Sequence, residues 1–276
     1  MPAAQLADAV AEGRCVLFSG AGFSQNYGLP DWVRLVDQLT NKLATDNAID
    51  NATRDLVLGW NNGVQGPGKA MTVLLTAAPR ARVTAQLRAI LVPGQNPNLT
   101  EVVRKLRLRG LVSTNYDRIA DDIMHRQPFR IKNDLSTLKL VPTALGSQSF
   151  IWKLHGDIDD VHDPADPVVS NGGPFMVLCE SDYAALLQGE RRSALTQAMH
   201  SVLQEASVLF IGYRFGDPDV DWLLRFLNQY CSFQHDSYYV GLQGSELPPL
   251  PPRVTPLLEL DSWSNLTDWL HRLIPT

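Results

Sequence analysis

CVLFSGAGFSQNYGLPDW, Cys15 to Trp32, is the stretch that decides the fold. The apolar run Cys15 to Phe18 reads as a short buried strand and passes directly into GAGFS (Gly20 to Ser24), then into GLPDW (Gly28 to Trp32). Beyond it Trp32, Leu35, Val36 and Leu39 recur at three-to-four spacing, which predicts a helix. Strand, glycine turn and helix in that order open an α/β sheet, and glycines at such a turn let the backbone approach a phosphate. The dinucleotide fingerprint GxGxxG is not met. Gln25 stands at the third glycine position, and no strand ending in an acidic residue follows at the required distance. A tight turn that binds nothing is the plain alternative.

Working outward, the same alternation continues. Strands are expected at Leu111 to Ser113, Phe150 to Leu154, Val208 to Gly212, Tyr238 to Leu242 and Leu257 to Leu260. Helical spacing appears at Leu195, Met199, Val202 and Leu203, at Val220, Leu223, Leu224 and Leu227, and at Leu266, Trp269, Leu270 and Leu273. Pro30, Pro218 and Ser262 sit where helix starts are expected. With Cys15 to Phe18 this predicts a Rossmann-like, doubly wound parallel α/β sheet of about six strands. Asp46 to Arg109 holds helical stretches separated by Gly and Pro and no convincing strand, so residues 1–276 are expected to form one domain with an inserted helical module at 46–109. Asp157 to Pro174, polar and rich in Pro and Gly, reads as a long surface loop.

Composition removes several classes. The chain has 276 residues, 24 Lys and Arg against 29 Asp and Glu, a net charge of −5, 19% charged and 45% hydrophobic residues. That is a soluble globular mix rather than a disordered or nucleic-acid-seeking one. Its longest apolar stretch, Ser207 to Tyr213, is far short of the ~18 residues a membrane span needs. The N-terminus carries Asp8 and Glu12 where a signal peptide carries basic residues, so a cytoplasmic protein is expected. Cys15, Cys179 and Cys231 are too scattered for a CxxC pair or a zinc knuckle and read as inert thiols. RKLRLRG (Arg104 to Gly110) spreads its charges around an expected helix with no adjacent aromatic to stack a base, so direct nucleic-acid binding is not expected.

The strand ends collect the chemistry-bearing residues. STNYD (Ser113 to Asp117) puts Asn115 and Asp117 at the C-terminal edge of the second strand, although a helix N-cap alone could account for one of them. KLHGD (Lys153 to Asp157) puts His155 at the same edge, with a ready role as a base near neutral pH. IGYRFGDPD (Ile211 to Asp219) brings further glycines and Arg214, while Asp217 or Asp219 can cap the next helix.

The order GAGFS, GLPDW, TNYD, LHG and IGYRFGDPD resembles the sirtuin-like domain family, and within it the branch of bacterial NAD hydrolases of anti-phage defence. The resemblance covers roughly Arg14 to Leu260. It implies that NAD is bound as substrate, with Gly20, Ala21, Gly22 and Ser24 cradling pyrophosphate and ribose. It further implies that Asn115 positions the nicotinamide ribose and the attacking water, that Asp117 holds the carboxamide, and that His155 is the catalytic histidine. Trp32 belongs to the same binding set, and Gly212 and Tyr213 correspond to the contact with the adenosine half. Two departures fix the branch. The four-cysteine zinc ribbon of deacylating sirtuins cannot be built, so no metal is expected, and Val33 stands where those enzymes carry arginine. The expected products are nicotinamide and ADP-ribose. An NAD-dependent deacylase or ADP-ribosyltransferase stays open, as does a subunit that holds NAD without cleaving it. The sheet and its module leave no room for a sensor within 276 residues, so the resemblance implies control by homo-oligomerisation or by a separate partner such as a HerA-type ATPase.

Overall fold

Among the described residues seven strands form one sheet, all parallel, in the order β3-β4-β2-β1-β5-β6-β7. They are β1 Cys15–Ser19, β2 Leu108–Ser113, β3 Phe129–Ile131, β4 Phe150–Lys153, β5 Ser207–Ile211, β6 Ser237–Leu242 and β7 Val254–Leu260. The structure is a computed structural model that describes residues 2–124, 128–160, 162, 165–215, 217–230 and 235–275. Gly216, Cys231 and the side chain of Asp219 lie outside what is described.

The doubly wound parallel fold is therefore as expected, with one strand more than the six anticipated. β3 was hidden because it spans only Phe129–Ile131 at the sheet edge, with Arg130 exposed, and so offers no apolar run. β2 also begins earlier than predicted, at Leu108. This corrects the reading of RKLRLRG as one helix face, since the helix Pro97–Lys105 ends first and Arg109 lies in the strand. Its charges are used locally. Arg104 donates to the carbonyls of Asp122 and Ile123, Lys105 pairs with Glu101 at 2.6 Å, and Arg107 reaches the Ala11 carbonyl.

Why the runs read as buried strands is visible in their packing. Every residue of β1 and β5 is buried, as expected of a parallel sheet covered on both faces. Alternate side chains go to opposite faces. Cys15, Leu17, Leu111, Leu209 and Ile211 join one apolar cluster, whereas Val16, Phe18, Val112, Val208 and Phe210 join the other. The second face is covered by the helices Gly189–Glu205 and Pro218–Tyr230 through Leu195, Met199, Val202, Val220 and Leu223. The first is covered by the helix Trp32–Thr45, whose stripe Leu35, Val36, Leu39 and Leu43 is buried and whose N-cap, Asp31, accepts from the Arg34 amide at 2.9 Å.

On that first face stand four more helices, Asn51–Asn61, Gly66–Ala77, Arg80–Ile90 and Pro97–Lys105, between the helix Trp32–Thr45 and β2. Asp50 and Asn96 cap two of them by accepting from the amides of Thr53 and Leu99. Asn61 ties the first to the sheet-covering helix, donating to the Val33 carbonyl and the Asp37 carboxylate at 2.8 Å each. The expected surface loop 157–174 is corrected in part. Asp157, Ile158, Asp160 and Val169 are buried, and a short helix, Pro167–Ser170, is capped by Asp166.

The chain winds from β1 to one side of the sheet, then crosses back to β5 on the other. The winding thus reverses beside β1, and the crevice above its C-terminal end is where open α/β sheets take ligands.

Candidate active site

Four strand ends meet at that crevice. The turns after β1 and β5 interlock by backbone: Gly20 N donates to the Ile211 carbonyl at 3.1 Å, and Gly22 N to the Gly212 carbonyl at 2.9 Å. A Cβ on Gly20 would stand 2.6 Å from the Gly212 oxygen, and one on Gly22 would stand 2.8 Å from the Gly212 Cα. Gly212 has φ of 65°, and a Cβ there would overlap the Phe23 amide nitrogen. The glycines predicted to cradle a phosphate are thus demanded first by this contact between two turns. Ala21 opens the four-residue helix Ala21–Ser24 beside it.

Ser24 is the junction between the first two strand ends. It is 3% exposed, and its Oγ donates to Asp117 Oδ2 at 2.7 Å while accepting from Asn115 Nδ2 at 2.8 Å. Asp117 Oδ1 accepts from the Ile119 amide at 3.0 Å alongside the bond to Ser24. The N-cap position of the helix Ile119–Ile123 is Arg118, which caps nothing with its side chain, so the expected cap is replaced by this bond from one residue upstream. The Asn115 amide is held by Ser113 Oγ at 3.1 Å. One hydroxyl therefore fixes Asn115 and Asp117 relative to each other.

His155, 2% exposed, follows β4 and packs edge-on against the Tyr183 ring, with centroids 5.4 Å apart. Tyr183 in turn donates to Asp217 at 3.2 Å, linking this loop to the segment after β5. Gly156 behind it has φ of 82° and abuts the Phe175 carbonyl, leaving no room for a side chain. Trp32 is half-buried on the near rim, 6.3 Å between centroids from Tyr116, the residue between Asn115 and Asp117. Tyr213 is placed differently from the other predicted residues. Its ring is buried with Phe18 and Phe215, at 4.9 and 5.0 Å, so Gly212 and Tyr213 can meet a ligand through backbone.

Sequence reasoning missed three groups beneath the crevice. Lys153 is buried, its ammonium donating to the Asp117 carbonyl and, at 3.4 Å, to the Asn115 carbonyl. A lysine inside the apolar run FIWKL was the available signal. Arg80 donates to both carboxylate oxygens of Asp182 and to the Met176 carbonyl, joining the helix Arg80–Ile90 to the helix Glu180–Leu186 that carries Tyr183. No sequence signal marked that pair or Tyr183. The surrounding carboxylates are perturbed: burial pushes Asp121 up against the pull of Lys153 and Arg130, and burial pushes Asp160 up against its bond to Lys132.

Cys15 and Cys179 are both buried, and burial pushes the Cys15 thiol up to about 12. Among the described residues no three His, Cys, Asp or Glu converge as metal ligands, and no helix is long and apolar enough to cross a membrane.

Comparison with known proteins identifies the family and the fold. The SIR2-like domain profile matches residues 109–258, just over half of the chain. The NAD(+) hydrolase ThsA of Bacillus cereus (strain MSX-D12) is 22% identical over 87% of this chain and 45% of its own length. Defense-associated sirtuin 2 of Bacillus subtilis is 22% identical over 85% of this chain and 21% of its own. The chain thus spans less than half the length of either relative. A solved Sir2 enzyme structure superposes with a TM-score of 0.50 at 13% identity, covering 98% of this chain and 96% of that one, which shows a shared fold.

Proposed function

Because the chain belongs to the SIR2-like domain family, we propose that it binds NAD in the crevice above β1 and hydrolyses the bond between nicotinamide and ribose. The observation that carries the reading is the Ser24 hydroxyl holding Asn115 and Asp117 together at the β1 and β2 ends, with His155 at the neighbouring β4 end. The pyrophosphate lies along Gly20 to Ser24, the adenosine half towards Gly212 and Tyr213, and Trp32 borders the nicotinamide side.

Nicotinamide leaves as a neutral base from a cationic ring, so bond breaking needs no general acid. What needs help is the cationic ribose and the approach of water. The Asn115 amide orients that water and the ribose, and Asp117 takes the carboxamide. His155 accepts a proton from the water or a ribose hydroxyl, a contribution typically of 10² to 10⁴-fold. Water adds to the ribose carbon, its proton leaves through His155, and nicotinamide and ADP-ribose are released.

The names of the relatives, NAD(+) hydrolase and defense-associated sirtuin, support a role as an NAD-depleting effector of anti-phage defence, which we assign to the cytoplasm. The family reading further supports control by self-association or by a HerA-type ATPase, in a single domain whose 46–109 stretch, as far as the start of β2 at Leu108, is an inserted module. Chromatography of NAD incubated with the protein tests the core claim. Nicotinamide and ADP-ribose should appear in equal amounts and be lost in Asn115→Ala and His155→Ala. Full cleavage by either variant would sink the assignment.

A further inference from the structure

We propose that Lys153 is a positioning residue for this site, a clamp that sets where Asn115 and Asp117 stand relative to His155. The inference rests on the reading of those three residues given above.

The segment after β2 leaves the sheet before the helix Ile119–Ile123 begins, so the carbonyls of Asn115, Tyr116 and Asp117 have no strand or helix partner to use. All three are taken from the β4 side. Lys153 Nζ binds the carbonyls of Asn115 and Asp117, and the Ile158 amide binds the Tyr116 carbonyl between them at 3.1 Å. Lys153 is the last residue of β4, level with Ser113 of β2 and two residues before His155. One side chain therefore connects the two loops that carry the reacting groups.

Burial makes the placement costly. An ammonium 3% exposed is destabilising unless its protons are bound, and an aliphatic chain would fill the same space without that cost. Its countercharge, Asp157 Oδ2, stands at 3.7 Å, beyond good hydrogen-bonding distance. The carbonyls are the nearer partners, so the lysine is suited to ordering the loop more than to pairing with Asp157. Asp157 is itself held by its own loop, its Oδ1 accepting from the Asp159 amide at 3.2 Å.

Lys153→Met keeps the length of the stem and removes the donors, while Asp157→Asn relieves the carboxylate left behind. The Lys153→Met, Asp157→Asn double variant should fold with a melting temperature close to that of Asp157→Asn alone. Against Asp157→Asn its kcat for NAD should fall at least about tenfold with KM within about threefold, because a displaced reacting group costs rate before affinity. Amide hydrogen exchange of residues 114–119 should quicken while that of β7 does not change. A double variant with the kcat of Asp157→Asn and unchanged exchange at 114–119 would overturn the clamp. If the parent protein cleaves no NAD, the functional reading falls. The exchange of 114–119 still decides whether Lys153 holds the loop.

Discussion

Removing Arg80 should cost this protein more stability than a first-turn arginine of a helix ordinarily does, because its side chain is only 11% exposed. Asp182 is 1% exposed and accepts three hydrogen bonds, two from Arg80 at 3.2 and 2.9 Å and one from the Leu178 amide at 2.8 Å. Arg80→Met deletes two of them and leaves a carboxylate in the interior with only the amide. Breaking a buried pair in this way costs about 3–5 kcal/mol. At a urea slope of ~3 kcal/mol per molar, the unfolding midpoint should drop by about 1–1.7 M. The Arg80→Met, Asp182→Asn double variant removes the stranded charge and should recover at least half of that loss. Because Asp182 adjoins Tyr183, Arg80→Met should also loosen the packing on His155 and lower NAD cleavage at temperatures where the variant remains folded. Urea unfolding followed by tryptophan fluorescence is the assay. A midpoint within ~0.2 M of the parent, or a double variant as unstable as the sum of the singles, would refute the reasoning.

Ser24→Ala strips Asp117 Oδ2 and Asn115 Nδ2 of a shared partner and should cost about 1–3 kcal/mol by thermal melting. It should reduce kcat as well, and an unchanged kcat would detach the hydroxyl from the chemistry. Gly212→Ala forces a side chain onto the Phe23 amide at positive φ and should destabilise by about 3 kcal/mol or more, read from the same urea midpoint. Burial raises the Asp121 carboxyl, so the folded state holds its proton more tightly than the unfolded state and stability is lost as pH rises through the raised value. Asp121→Asn should therefore raise the melting temperature at neutral pH, with the gain vanishing near about pH 3, where the unfolded carboxyl is itself largely protonated. An equal gain at both pH values would contradict the burial argument.

The sheet was legible because its central strands are buried on both faces and so read as unbroken apolar runs, CVLFS and SVLFI above all. β3 was not, since an edge strand of three residues with an exposed arginine resembles any loop. Asn115, Asp117 and His155 were singled out from their place at strand ends, and Ser24 joins the first two of them. The role of Tyr213 could not be read, because an aromatic after a strand gives no sign of whether its ring faces the crevice or the core. Arg80 and Asp182 stand 102 positions apart, and nothing local to either residue announces the other.

The interlocked glycine turns give the pocket a floor made of main chain, and that limits how it can diversify. A floor of side chains can be reshaped one substitution at a time, whereas Gly212 blocks a Cβ on Gly20 and on Gly22, and Gly22 and Phe23 block one on Gly212. In a randomised library these three positions should return as glycine regardless of which nucleotide is selected for. Altered preference should instead emerge at the walls, at Trp32 and Tyr183, where a ring can be exchanged without touching the backbone beneath.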